Sequence, residues 1–237
     1  MIVYPVKWEK EYEKLADNID IDVNLIINEL TSILKKIDVQ HLAYSGGLDS
    51  TIMLCLLSFV TNKRIHTYTI SSRADHPDVQ FARRGGRFYD TTHHEFIVTP
   101  TKRNTDQFTG DNAVRQLFEK VSRHTGKIIC CDGIDEFMCG YYDHMNGSLD
   151  TYKHYLSRLT PDHLKLLDFN SGKVKVWLPY LSDTLVSIYR MIPLRAKVSE
   201  EDRKLVMKAI ARKLSVPSDF IDRNKYGFCD AFIKNNK

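Results

Sequence analysis

The nine residues Ala43-Tyr44-Ser45-Gly46-Gly47-Leu48-Asp49-Ser50-Thr51 constrain the fold more than any other stretch of the chain. A short, largely apolar segment, Val39 to Tyr44, leads into them, and Ile52 to Val60 follows as an apolar run without Gly or Pro. This pattern reads as a strand, a tight glycine turn and a helix. Two adjacent glycines let the backbone pass close to a ligand with no Cβ in the way. Orphan N–H donors and the dipole at the helix start favour an anion, so a phosphate is the expected guest of Ser45, Ser50 and the turn. Asp49 would repel that phosphate unless a cation stood between them, which implies Mg²⁺.

The turn does not end in Gly-Lys-Ser/Thr, does not follow the dinucleotide GxGxxG pattern, and places its serine before both glycines, unlike a nucleophile elbow. SGGLDS resembles the PP-loop of the ATP pyrophosphatases. Those enzymes cut ATP between its α and β phosphates and hold the departing pyrophosphate on this loop.

At 237 residues the chain is long enough for one sizeable core, with or without a helical appendage. Its 43% apolar and 27% charged residues are those of an ordinary globule. No apolar run approaches the roughly 20 residues of a membrane span. Met1 to Lys10 is too polar for a signal peptide, so a cytoplasmic protein is expected. The net charge of +4 is mild, and the Arg83, Arg84, Arg87 cluster has no interleaved aromatics, so a solvated helix face is preferred over nucleic-acid binding. Five cysteines with no CxxC pair argue against a disulfide framework or a structural zinc site, and Cys55 reads as core. His93 and His94 are neighbours in a candidate strand and would point to opposite faces, a poor geometry for one metal.

Residues Glu9 to Ile37 read as helix in two pieces, interrupted near Asp17-Asn18 and Asp20. The second piece is amphipathic through Val23, Ile26, Ile27, Leu30, Ile33, Leu34 and Ile37, and is expected to pack on a sheet face. Strands are expected at Arg64 to Ile70, His94 to Val98 and Lys127 to Cys131, with helices at Asp78 to Phe88 and Asn112 to His124. Strands alternating with helices imply an α/β fold, a doubly wound and mainly parallel sheet with ligands beyond the carboxyl ends of the strands. From Tyr141 onward the pattern is mostly helical, with an extended piece at Lys173 to Leu178 and helices at Leu185 to Met191 and Ser199 to Leu214. Ser199 followed by Asp202 supplies the start signal for the last of these. The expected organisation is an N-terminal helical segment (1–38), an ATP-binding core (39–140) and a helical C-terminal part that completes the site (141–237).

A second acidic turn, Asp132-Gly133-Ile134-Asp135-Glu136, lies at the end of the Lys127 strand. Its carboxylates and Asp49 are oxygen ligands suited to Mg²⁺ and ATP. At this point the chain resembles the synthetase domain of asparagine synthetase and relatives such as β-lactam synthetase. The stretches concerned are SGGLDST; His66 to Ile70 with Thr92 to Phe96; Asp132 to Tyr141, close to GEGxDExFGGY; and Leu178 to Leu181, like VPFLD, with Arg223-Asn224-Lys225 beyond. They occur in family order.

The resemblance implies the fold of the adenine nucleotide alpha-hydrolases and an ammonia-dependent, AMP-forming carbon–nitrogen ligase. It places Ser45, Gly46, Gly47, Asp49 and Ser50 on the β and γ phosphates, Ala43 and Ile70 at the adenine, and Cys131 and Gly133 among the ATP-binding residues. Mg²⁺ is implied on Asp49 and Asp135. Lys225 corresponds to the family's charge-stabilising lysine, and Asp132 stands where the family has a glutamate that acts on the acyl-adenylate and the amine. Removing the amine's proton suits a carboxylate base.

Departures fall on the expected acceptor side. Position 2 is Ile rather than the cysteine of glutamine-using relatives, and no glutaminase domain precedes the loop, so ammonia or another amine is expected from solution or from a separate glutaminase. Cys130-Cys131 replace Ser-Gly, Asp132 is one methylene shorter than Glu, Lys175 and Trp177 replace Glu and Arg, and Ser182 replaces Asp. The carboxylate, aspartate in the parent family, is left open. A thiolating or tRNA-modifying PP-loop enzyme, a lactam-forming one, and a non-catalytic ATP-binding homologue remain as alternatives. Adjacent cysteines at a strand end do not fit the reactive-cysteine pattern of the first.

Overall fold

The computed structural model describes residues 1–3, 22–101 and 109–223. Its centre is a six-stranded sheet of β1 (Ile2–Val3), β2 (His41–Ala43), β3 (His66–Ser71), β4 (Thr92–Ile97), β5 (Lys127–Ile129) and β6 (Lys175–Trp177), in the order β1-β6-β5-β2-β3-β4. Every pairing is parallel, as the alternation of strand and helix patterns implies. β2 pairs with β3 on one side and with β5 on the other, through Leu42 and Ile129. The chain therefore reverses its direction of winding between β2 and β5, and the turns after these two strands open into one crevice.

Helices cover both faces. On one face lies α2 (Leu48–Val60), whose residues Ser50 to Leu57 are all buried. A helix apolar on every side has no solvent face to offer, so it sits between the sheet and an outer layer. That layer includes α1 (Val23–Ile37), which buries Ile26, Leu30, Ile33 and Leu34. Asp22 caps it by accepting the Asn24 N–H at 2.9 Å. The expected partner of α1 was the sheet. Its main contacts are instead α2, α8 (Asp183–Met191) and α10 (Leu205–Lys213), because α2 already occupies the strands. α3 (Pro77–Phe88) packs against β3 and β4, where Arg83 forks onto Glu95 of β4 with both bonds at 2.6 Å.

The opposite face carries α4 (Thr109–Val121) and α7 (Lys165–Ser171). Between β5 and α7 run α5 (Ile134–Phe137), α6 (Leu149–Arg158) and a π-helical turn, Leu159–Leu164. Two short helices, α9 (Leu194–Lys197) and α11 (Ser218–Ile221), flank α10. The helix expected over Ser199 to Leu214 begins only at Leu205. Ser199 does accept the N–H groups of Glu201 (3.3 Å) and Asp202 (3.0 Å), but the chain turns left-handed at Lys204 (φ +55°) before the helix starts. The strand β1 was not expected. The helical piece before Asp22, the Asp17-Asn18 break and Cys229 lie outside the described residues.

The strand pattern His-Thr-Tyr-Thr-Ile-Ser sends Thr67, Thr69 and Ser71 to the α3 side and His66, Tyr68 and Ile70 to the α4 side. On the α4 side the rings of His41, His66 and His94 stack in sequence, with centroids 5.0 and 5.4 Å apart, and His124 lies tilted against His94 with centroids 4.7 Å apart. His41 Nδ1 meets the Tyr68 hydroxyl at 2.8 Å, and His66 Nδ1 meets His94 Nε2 at 3.1 Å. His93 turns to the other face, against Thr67 Oγ1 at 2.9 Å. No group of three metal-ligating side chains occurs among the described residues. Burial pushes the His41 imidazole down to about 4, helped by His66 and His94, and burial lowers His66 and His94 too. The unfolded chain, with imidazoles near 6.5, takes up protons before the folded one. Stability is therefore expected to be full above that value and to fall as the pH drops toward about 4. Urea unfolding at a series of pH values checks this, and His41→Gln should make the loss shallower.

Among the described residues no helix is long and apolar enough to cross a membrane. Cys55, Cys130, Cys131 and Cys139 are all free thiols, and Cys55 is buried as expected.

Candidate active site

β2 delivers the chain into the glycine turn, where Gly46 adopts φ +68°. A Cβ there would lie 2.5 Å from the Ala82 nitrogen and 2.8 Å from the Phe81 carbonyl carbon of α3, so only glycine lets the turn close on that helix. Ser45 Oγ accepts the Gly47 N–H at 3.2 Å and meets Ser50 Oγ at 3.2 Å. Ser50 and Thr51 both donate to the Gly47 carbonyl, at 3.1 and 2.8 Å. Gly47 holds the N-cap position of α2, where no side chain caps the first turn. Two hydroxyls and a helix start without a side-chain cap make a cradle for an anion.

β5 delivers the second turn. Gly133 takes φ +90° with the Leu181 side chain pressed against it, and α5 starts at once, carrying Asp135 and Glu136 in its only turn. Asp49 and Asp135, 86 positions apart in the chain, converge on one positive charge, the ammonium of Lys204, which forms ion pairs with both. Burial opposes that charge, yet the two carboxylates hold the Lys204 ammonium well above the ordinary lysine value. The left-handed backbone at Lys204 is what turns its side chain inward, and a residue held in that region next to a charged cluster is often functional. Tyr180, fully buried, donates its hydroxyl to the Asp49 carbonyl at 2.9 Å and fixes the start of α2. Two carboxylates already gathered around one cation are a donor set that fits Mg²⁺ together with phosphate oxygens.

Both turns open into a cavity of about 690 Å³. Ala43, Ser45, Gly47, Asp49, Ser50, Ile70, Cys131, Asp132, Gly133 and Asp135, all expected at the site, line it. Gly46 does not: it lies beneath the turn against α3, with its carbonyl accepting from Arg223 Nη1 at 2.7 Å. Val114, Leu117 and Phe118 of α4 face Ala43 and Ile70 across the apolar end of the cavity, the end expected to take the adenine. Lys225 lies outside the described residues. Arg223, two positions before it, is clamped beside the glycine turn by an ion pair to Asp78 and by the Phe81 ring 4.4 Å below its guanidinium.

The other end of the cavity is built on Asp132. His163, from the π-helical turn, brings Nε2 to 2.9 Å from Asp132 Oδ1 and Nδ1 to 3.6 Å from Glu136 Oε1. Tyr141 donates to the same Glu136 Oε1 at 2.7 Å. Burial disfavours a charged His163, but the hydrogen bonds and charges of Asp132 and Glu136 outweigh it and raise the imidazole well above its ordinary value. Burial, reinforced by the neighbouring acids, pushes the Cys130 and Cys131 thiols well up, which leaves them poor nucleophiles. Lys204, Arg223 and His163 are the site residues that sequence reasoning missed. Arg223 had a signal, its place in a basic glycine-containing stretch, whereas Lys204 and His163 belong to no motif.

A family model described as Asparagine synthase matches residues 42–171, more than half of the chain, from within β2 to the end of α7. No curated protein gives a significant match. Among solved structures the chain is similar to an NH3-dependent NAD synthetase from Campylobacter jejuni in complex with the nitrate ion. The identity is 12% over 89% of this chain and 81% of that one, with a TM-score of 0.39.

Proposed function

Because this chain belongs to the asparagine synthase family, we propose that it is an ATP-dependent, AMP-forming ligase that adenylates a carboxylate, releases pyrophosphate and passes the acyl group to ammonia or another amine. The observation that carries this reading is the convergence of the two strand-end turns. The phosphate cradle of Ser45, Gly47 and Ser50 and the carboxylates Asp49 and Asp135 share one cavity at the reversal point of the sheet.

Each group has a task that follows from its charge. A carboxylate attacking ATP meets a polyanion, so the barrier falls only where positive charge offsets what develops. Mg²⁺ held by Asp49 and Asp135 would supply part of that charge, as it does wherever it bridges phosphate oxygens. Lys204, next to both carboxylates, and Lys225, two positions after the Arg223 that is clamped beside the turn, supply compact ammonium charges for the rest. The Ser45 and Ser50 hydroxyls and the first turn of α2 hold the departing pyrophosphate. Asp132 receives a proton from the attacking amine. The amine comes from solution or from a separate ammonia-supplying glutaminase.

Carboxylate-dependent exchange of labelled pyrophosphate into ATP tests the proposal. A ligase returns label with at least one amino acid or other carboxylic acid in a screen. A protein that binds ATP but returns label with none of them is a non-catalytic homologue, and exchange that appears only with tRNA points to the modification enzymes.

A further inference from the structure

We infer that Asp132 and Glu136 form the subsite that binds the attacking amine as a cation, and that His163 is the resident charge which that amine displaces. This rests on the ligase reading above and names the state in which its second substrate is held.

The geometry is that of a cation site already filled by the protein. One imidazole spans two carboxylates, at 2.9 Å from Asp132 and 3.6 Å from Glu136. Lys204 does the same for Asp49 and Asp135, so the two strand-end turns together present two carboxylate pairs, each bridged by one side-chain cation. Glu136 is 3% exposed, and its Oε1 takes the Tyr141 hydroxyl. Its Oε2 is buried as well and accepts no hydrogen bond from the described residues. A buried carboxylate oxygen without a donor is costly. A guest rich in N–H groups relieves that cost, and an ammonium ion offers three or four.

The surroundings favour the same guest. Asp132, Glu136, Tyr141 and His163 all line the cavity, and among the described residues of its wall carboxylates outnumber cationic side chains. Such a wall attracts cations and repels a second anion once the nucleotide is in place. The His163 side chain is 39% exposed, so its outer edge reaches water. It is carried by a π-helical turn, an uncommon form frequent at functional sites, and a regular α-helical turn would aim residue 163 elsewhere.

The protons balance. As the ammonium settles between the carboxylates, His163 releases one proton to water and becomes neutral. The neutral imidazole takes one proton from the ammonium, the amine nitrogen so freed attacks the acyl carbon, the carbon–oxygen bond to AMP breaks, and AMP leaves with the electron pair. An ammonium becoming an amide loses two protons. Asp132 takes one and the imidazole takes the other, and both pass to water along the exposed edge of the ring.

Ammonium and primary alkylammonium ions share this chemistry, and one experiment tests both. The protein is labelled with ¹⁵N in its histidines, and the His163 ring is followed near neutral pH during titration with ammonium chloride or methylammonium chloride. The expected result is a saturable change of His163 from the charged to the neutral ring, absent with sodium or tetramethylammonium chloride and absent in Asp132→Asn. Tighter binding of ammonium marks ammonia as the nucleophile, and tighter binding of methylammonium marks an organic amine. By calorimetry, His163→Gln should bind the preferred ion roughly tenfold more tightly, since a like charge has been removed. A His163 ring that ignores both ions, or answers equally to sodium chloride, overturns the inference, as does weaker binding by His163→Gln. If pyrophosphate exchange persists while the ring stays silent, only this inference falls. A responsive ring without exchange under any carboxylate sinks the ligase reading alone.

Discussion

Replacing Lys204 by Met is expected to cost about 3 kcal/mol of stability in the absence of divalent cations, because it leaves Asp49 and Asp135 facing each other with their shared counter-charge removed. The figure applies to a buried group: the Lys204 side chain is only 9% exposed, and the carboxylates are 16% and 24% exposed. Met keeps most of the volume, so lost packing is a minor part of the effect. The informative measurement is the response to metal. In EDTA the variant should unfold at a lower temperature than the wild type, and added Mg²⁺ should recover most of the difference, since the cation enters a carboxylate pair that no ammonium occupies. The wild type should gain less, because there the metal competes with Lys204. Exchange of pyrophosphate should fall about a hundredfold or more in the variant, the scale of losing one charge that stabilises a transition state. A variant as stable as the wild type in EDTA, with exchange unchanged, would show that Lys204 is an ordinary core lysine.

Gly46→Ala should damage the fold severely although Gly46 does not line the cavity. Two costs combine. A left-handed backbone with a Cβ costs about 1–2 kcal/mol, and the new methyl group would sit 2.5 Å from the Ala82 nitrogen. Backbone cannot swing aside as a side-chain tip can, so α3 or the turn must move. The sum should reach about 3 kcal/mol or more. Gly147 separates the two costs. It has a similar φ of +65°, but a methyl group added there would meet nothing within 4 Å, so Gly147→Ala should lose only the backbone part. Denaturant titration of both variants gives the difference. ATP binding, followed by the shift in unfolding temperature with added nucleotide, should survive in Gly147→Ala and vanish in Gly46→Ala. Equal losses in the two variants would mean that the contact with α3 is soft and the turn adapts.

The parts of the site that could be read from the chain are those in which local order and chemistry coincide. Ser45 to Ser50 forms a turn because the glycines permit it, and is suited to an anion because the helix after it begins there. Asp132 and Asp135 were legible for a related reason: they follow a β-rich segment, and a parallel sheet sends strand ends to one side. Lys204 was not legible. Its position depends on a single left-handed residue, which a lysine rarely adopts, and the Ser199–Asp202 turn just before it imitates a helix start without extending into one. His163 depends on a π-helical turn, which has no sequence signature. The edge strand Ile2–Val3 is too short to show any alternation. The order β1-β6-β5-β2-β3-β4 was not deduced strand by strand, although the doubly wound parallel class was.

The ion pair between Asp49 and Lys204 closes a segment of the chain that holds most of its length, and Arg223 reaches back still further, to Gly46. On a ribosome, the phosphate turn emerges long before the residues that neutralise and clamp it. A growing polypeptide therefore has neither the Lys204 charge nor the Arg223 clamp at that turn while only its first half is out. The onset of ATP binding during synthesis is then expected only once residue 223 has emerged, and it would time the closing of this long segment.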